Sequence, residues 1–202
     1  MSDVRLVAQP ALAEFVFSER FGNPAGPAGV TVVLRHDLRI ASVIARRGCE
    51  AELAVRVERT FEVAPPPGPH RIRKGNLTIL GIGPGRWMFL QEKGAPEFAD
   101  VLARDLKGLA SISDHSDGYA VFEVGGPLAR QALAKGVAID LHPKSFGVAD
   151  AAVTSIAHIG AMLWQTDDAP RYAIAVFRSS AGSFWHGLRD SAAEFGLTVH
   201  PG

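Results

Sequence analysis

The stretch Leu77-Thr-Ile-Leu-Gly-Ile-Gly-Pro-Gly-Arg-Trp-Met-Phe-Leu90 sets two apolar, extended runs on either side of a joint rich in glycine. Shortly after it, Pro96 opens a segment in which Phe98, Val101, Leu102, Leu106 and Leu109 share one helical face, with Gly108 as its stop. Two strand-length runs ahead of a single helix describe a hairpin under a helix. A parallel doubly wound sheet needs single strands alternating with helices, so this unit selects antiparallel pairing.

The same unit recurs on both sides. Upstream, Val30–Leu34 and Ile40–Ile44 precede a helix that starts near Gly48 and carries Cys49, Leu53, Val57 and Phe61 at steps of four. Downstream, Tyr119–Val124 leads into a helix with Pro127 in its first turn, Leu128, Ala132 and Leu133 facing inward, and Gly136 as its stop. A fourth unit reads as an extended run over Val153–Gln165, a strand over Tyr172–Phe177, and a helix with Phe184, Trp185, Leu188, Ala192 and Phe195, stopped by Gly196. The fold class expected is α+β, with mainly antiparallel sheets and helices on one face, in two similar half-domains over 30–110 and 111–202. Residues 1–29 read as an N-terminal arm, because Phe21–Gly29 is dense in Gly and Pro after a mildly apolar Leu12–Phe17 stretch. Val63–Lys74, with its run of prolines, reads as a surface loop.

Composition narrows the function. The 202 residues carry 21 Lys+Arg against 21 Asp+Glu. A neutral chain lacks the cationic excess that a nucleic-acid groove or a polybasic membrane surface requires. No apolar run reaches the roughly 18 residues that span a bilayer. The single cysteine, Cys49, forms no internal disulfide and no thiolate metal cluster, and reads as a small buried hydrophobe. No secretory leader pattern opens the sequence, so a cytoplasmic setting is expected.

Candidate chemical residues resolve into structural roles. Gly81–Trp87 fails as a phosphate loop, because Trp87–Leu90 continues as strand instead of opening a helix; it reads as a tight turn, with Arg86 and Trp87 as an exposed interface anchor. In Asp114-His115-Ser116-Asp117, alternation sends His115 and Asp117 to one face and Asp114 and Ser116 to the other, so the group reads as a turn. Asp167-Asp168 before Pro170 reads as a hairpin tip. His36, His70, His142, His158, His186 and His200 show no metal-ligand spacing, and His158 reads as a core histidine inside an apolar strand. Ser179, Ser180 and Ser183 read as caps of the last helix. Trp164, Trp185 and Phe195 read as core. Catalytic, cofactor-binding and metal-binding residues are therefore all expected to be absent from this chain.

Two resemblances sharpen this. Ile112-Ser-Asp-His-Ser-Asp-Gly-Tyr-Ala-Val-Phe-Glu-Val-Gly-Gly-Pro-Leu-Ala-Arg-Gln-Ala-Leu133 resembles the folate-binding aminomethyltransferase family of the glycine cleavage T-protein. Leu34–Gly48, Leu80–Trp87, Ala151–Gly160 and Phe177–His186 together resemble, more narrowly, the gamma-subunit family of heterotetrameric sarcosine oxidases. The resemblance runs from about Val30 to the end. It implies a fold like the first two T-protein domains and a non-catalytic scaffold for alpha, beta and delta partners. It further implies that FAD, FMN, NAD, tetrahydrofolate and zinc reside in those partners. The complex so implied demethylates sarcosine oxidatively, giving glycine, hydrogen peroxide and, with tetrahydrofolate, methylenetetrahydrofolate. The alternative is a free-standing folate-dependent transferase. Counting back from Tyr172–Arg178, however, puts Gly160-Ala161 where the transferases keep an acidic pair, and a folate site without that carboxylate loses its charge-assisted contact.

Overall fold

The computed structural model describes Ala11, 20–23 and 26–201. In chain order its elements are β1 (Arg20–Phe21), β2 (Val30–Arg35), β3 (Leu38–Ala45), α1 (Glu50–Phe61), β4 (Arg71–Lys74), β5 (Leu77–Gly83), β6 (Arg86–Glu92), α2 (Phe98–Asp105), β7 (Ala110–Asp114) and β8 (Tyr119–Gly125). There follow α3 (Ala129–Ala134), β9 (Ala151–Ile156), β10 (Ile159–Asp167), β11 (Arg171–Phe177), α4 (Ala181–Ala192) and β12 (Leu197–Pro201). They form a seven-stranded sheet, β1-β12-β2-β8-β11-β10-β9, and a five-stranded sheet, β4-β5-β6-β3-β7. All pairings are antiparallel except β12 with β2. The chain is α+β, as the recurring units require.

Strand alternation explains the layering, because period-two side chains give each sheet two faces and both are apolar. In β8, Ala120, Phe122 and Val124 join a core with Ala132 and Leu133 of α3 and Phe184, Trp185 and Leu188 of α4. In β6, Trp87 and Phe89 join a second core with Leu53 and Val57 of α1 and Leu102 of α2. The residues in the opposite phase build a third core shared by the two sheets: Ile40, Leu80, Met88 and Leu90 from one, Val121, Met162, Trp164, Ala173 and Ala175 from the other. Helices thus cover one face of each sheet, and the remaining faces close on each other.

Several expectations are revised. The sheets are not cut from contiguous halves at residue 110: β2 lies in the seven-stranded sheet, and β7 pairs with β3 in the five-stranded one. Both connections, β2 to β3 and β7 to β8, therefore cross between sheets. The run Val153–Gln165 is two strands, because Ala157 and His158 take φ of 48° and 66°, a two-residue reversal. His158 is consequently an exposed turn residue, not a core histidine. The end of the expected arm is docked: β1 pairs with β12, and Phe21 meets Trp185 edge-on at 6.0 Å. The Leu12–Phe17 stretch lies outside the described residues. The proline loop is partly interior, with Pro65 and Pro66 buried and its end forming β4.

Candidate functional site

The residues singled out in the sequence are placed as follows. Gly81–Trp87 is the β5–β6 hairpin, turning through Pro84 and Gly85, the latter at φ 63°. A side chain at Gly81 would collide with the Gly68 carbonyl oxygen, so the proline loop presses directly on this strand. Arg86 is exposed, but Trp87 is not an anchor: it is 7% exposed and its indole donates to the Pro66 carbonyl at 2.8 Å. An indole buried with its N–H satisfied is a core residue.

Asp114–Asp117 forms a local knot. Asp114 Oδ1 accepts from the Ser116 amide at 2.8 Å and hydroxyl at 2.7 Å, while the Ser116 hydroxyl also receives the Ile40 amide at 3.1 Å. Burial raises the Asp114 carboxyl, yet the Ser116 hydrogen bonds and the charges of Arg39 and His115 outweigh it and leave it below its ordinary value. His115 Nε2 lies 3.1 Å from Ser42 Oγ and the ring meets Tyr119 edge-on. Asp167 Oδ1 accepts the Ala169 amide at 3.1 Å in the β10–β11 turn. Gly160 is exposed, and the Ala161 side chain points into the helix-side core. Ser180 precedes α4 without a side-chain capping bond and Ser183 lies within the helix, so the expected serine caps do not form; a 3₁₀ turn over Arg178–Ser180 leads in instead. Cys49 is only partly buried, packed against the α1 core. Among the described residues no three His, Cys, Asp or Glu side chains converge to hold a metal, and no helix is long and apolar enough to cross a membrane.

Of the residues lining the polar cavity, the sequence marks Asp167, as a hairpin tip, and Trp164, as core, and gives neither a part in a site. Where the sheets part at one end, the face that is apolar in the shared core continues as charge: Val121 is followed in phase by Glu123, Leu90 by Glu92 and, reading backwards, Ala173 by Arg171. Arg35, Arg71, Arg73 and Arg171, with Glu92, Glu123 and Asp167, rim a cleft of about 240 Å³ floored by Leu38, Leu90, Val121, Trp164 and Ala173. Arg35 grips Asp37 with two bonds of 2.8 and 3.0 Å, and lies 3.3 Å from Glu123 and 3.7 Å from Glu92. Its hydrogen bond with Asp37 raises the guanidinium further above its ordinary value, despite burial. Arg73 pairs with Glu92 at 3.2 Å, and Arg171 with Glu123 at 2.8 Å. Arg71 differs. Its Nη1 reaches only the Val148 and Gln165 carbonyls, at 3.4 and 3.5 Å, and its buried Nε has no acceptor among the described residues. Burial and neighbouring Arg73 both lower its proton affinity, with Glu92 opposing. The available signal was the lone charge in an apolar strand, as in Tyr119-Ala-Val-Phe-Glu-Val124.

The paired sheets with helices on their outer faces define the class: glycine cleavage system aminomethyltransferase T from Bartonella henselae shares the fold, with a TM-score of 0.61 over 90% of this chain and 52% of that one at 13% identity. Within that class, residues 50–194 match the sarcosine oxidase, gamma subunit family, and the chain belongs to that family. The sarcosine oxidase gamma subunits of Corynebacterium sp. (strain P-1) and Arthrobacter sp. are 32% and 30% identical over 117 and 118 residues, 58% of this chain in each case. The matched part spans 57% of the length of these curated relatives. A chain of the heterotetrameric sarcosine oxidase from Corynebacterium sp. U-96 superimposes with a TM-score of 0.74 at 28% identity, over 85% of this chain and 87% of that one.

Proposed function

We propose that this chain serves as the gamma subunit of a heterotetrameric sarcosine oxidase and contributes no catalytic residue of its own. The observation that carries this reading is mutual coverage: this chain and one from a heterotetrameric sarcosine oxidase overlie along 85% and 87% of their lengths. In this reading alpha, beta and delta chains hold FAD, FMN, NAD, tetrahydrofolate and zinc, and the assembly works in the cytoplasm. It converts sarcosine to glycine and hydrogen peroxide, with the one-carbon unit passing to tetrahydrofolate. The passive role is supported by Gly160 and Ala161, which offer no carboxylate where the transferases keep their acid.

Co-expression with the alpha, beta and delta chains, followed by purification through a tagged alpha chain, is expected to recover all four. Omitting this chain should lower sarcosine-dependent peroxide formation. Recovery of an active oxidase without it, with this chain running as a clean monomer that the others do not retain, overturns the proposal. Heat on titrating tetrahydrofolate into the isolated chain would favour the transferase reading instead.

A further inference from the structure

We propose that the cleft between the two sheets is a binding site for a small organic monocarboxylate, held by the Arg71 guanidinium. The argument starts from pairing. Of the four arginines on the rim, Arg35, Arg73 and Arg171 each lie within ion-pair distance of Glu92 or Glu123. Arg71 has no ion-pair partner among the described residues, and its Nε is buried without an acceptor. A guanidinium that lines a cleft without a counter-ion offers its Nη N–H groups to a carboxylate, while the enclosed Nε lies out of a ligand's reach. The same strand sets Arg73 two residues away on the same face, so a second cation borders the position.

The surroundings select the ligand. Glu92, Glu123 and Asp167 lie on the rim. They oppose a dianion more than a monoanion, so a single negative charge matches the one unpaired cation. The floor of Leu90, Val121, Trp164 and Ala173 is apolar and suits a hydrocarbon or aromatic body beyond the charged end. At about 240 Å³ the cleft lies at the small end of ligand sites, which limits the occupant to a small molecule. Phosphate, with about 1.5 to 2 charges at neutral pH and no apolar part, fits worse on both counts.

The test is isothermal titration of the full chain with benzoate, with benzamide as the uncharged isostere and inorganic phosphate as the compact polyanion. Benzoate is expected to bind saturably and to quench tryptophan fluorescence through Trp164; benzamide and phosphate are each expected to bind at least tenfold more weakly. Arg71→Gln should weaken benzoate at least tenfold, and Arg59→Gln, on the exposed face of α1, should leave it unchanged. Glu123→Gln removes a repelling charge and should tighten benzoate several-fold, an outcome that misfolding does not imitate. The proposal is overturned if wild type shows no saturable benzoate binding, if benzamide or phosphate matches benzoate, or if folded Arg71→Gln binds as wild type does. Should Arg71→Gln not fold, an unchanged affinity in Glu123→Gln overturns it equally.

Discussion

Arg35 and Asp37 face each other across a two-residue step, and their two parallel hydrogen bonds are the geometry in which an arginine-carboxylate pair is strongest. The Arg35 hydrogen bond holds the Asp37 carboxyl below its ordinary value, although burial works the other way. A carboxyl depressed in the folded state contributes stability that is present above about pH 4, the unfolded value, and is lost as pH falls through the lower folded one. Asp37→Asn is therefore expected to lower stability at neutral pH by about 1 kcal/mol, and to flatten the acid limb of the curve. Urea midpoints measured from pH 7 down to pH 2 read both effects. A second residue is set by space. The Gly68 carbonyl stands where a Gly81 side chain would be, and backbone on both sides leaves little freedom to yield. Gly81→Ala should destabilise by about 3 kcal/mol, since overpacking of this kind forces backbone shifts. A loss within measurement error in urea denaturation would mean the proline loop is not seated on β5.

At the scale of elements, three helices were legible because α2, α3 and α4 combine an apolar face with a glycine stop, and neither cue needs knowledge of the partner layer. β12 was not legible. Leu197–Pro201 is short, ends in proline, and owes its strand state to a parallel insertion beside β2, a strand from near the other end of the chain. β7 read as a boundary although Ala110-Ser-Ile-Ser-Asp114 alternates, because the run is five residues long and only Ala110 in it is buried. The charged cleft was hidden for a related reason: Arg35, Arg71, Glu92, Glu123 and Arg171 sit on five different strands, and topology alone brings them together. The β9–β10 reversal escaped notice because Ala157-His158 lacks the Asn-Gly chemistry such turns prefer. Two non-glycine residues at positive φ each cost about 1 kcal/mol or more. Putting asparagine and glycine in their places, as the double substitution A157N/H158G, should accordingly raise stability by about 1 kcal/mol and leave far-UV circular dichroism unchanged. A drop in the denaturation midpoint would refute the two-residue turn.

For the whole molecule, the decisive feature is that the two sheets share a core and exchange strands. Ile40, Leu80, Met88 and Leu90 are buried by residues of the opposite sheet, so neither sheet keeps its inner face dry alone. The crossing of β2–β3 and β7–β8 ties them further, because loss of one sheet pulls a strand connection out of the other. The three tryptophans sample the three cores separately: Trp87 lies under α1 and α2, Trp185 under the seven-stranded sheet, and Trp164 between the sheets. Variants keeping one tryptophan each, with phenylalanine at the other two positions, therefore report each layer in isolation. In each variant the fluorescence transition in urea is expected to coincide with that variant's own far-UV circular dichroism transition, the signature of one cooperative unit. Leu53→Ala supplies the stronger form of the test. Leu53 is fully buried against the five-stranded sheet. Truncating it should cost about 2–5 kcal/mol through lost contacts and a residual cavity. If the layers are coupled through the shared core, that loss shifts the Trp185 and Trp164 midpoints as far as the Trp87 midpoint. A shift confined to Trp87 would mean that the five-stranded sheet and its helices unfold alone, and that the inner faces contribute too little to bind the two sheets into one folding unit.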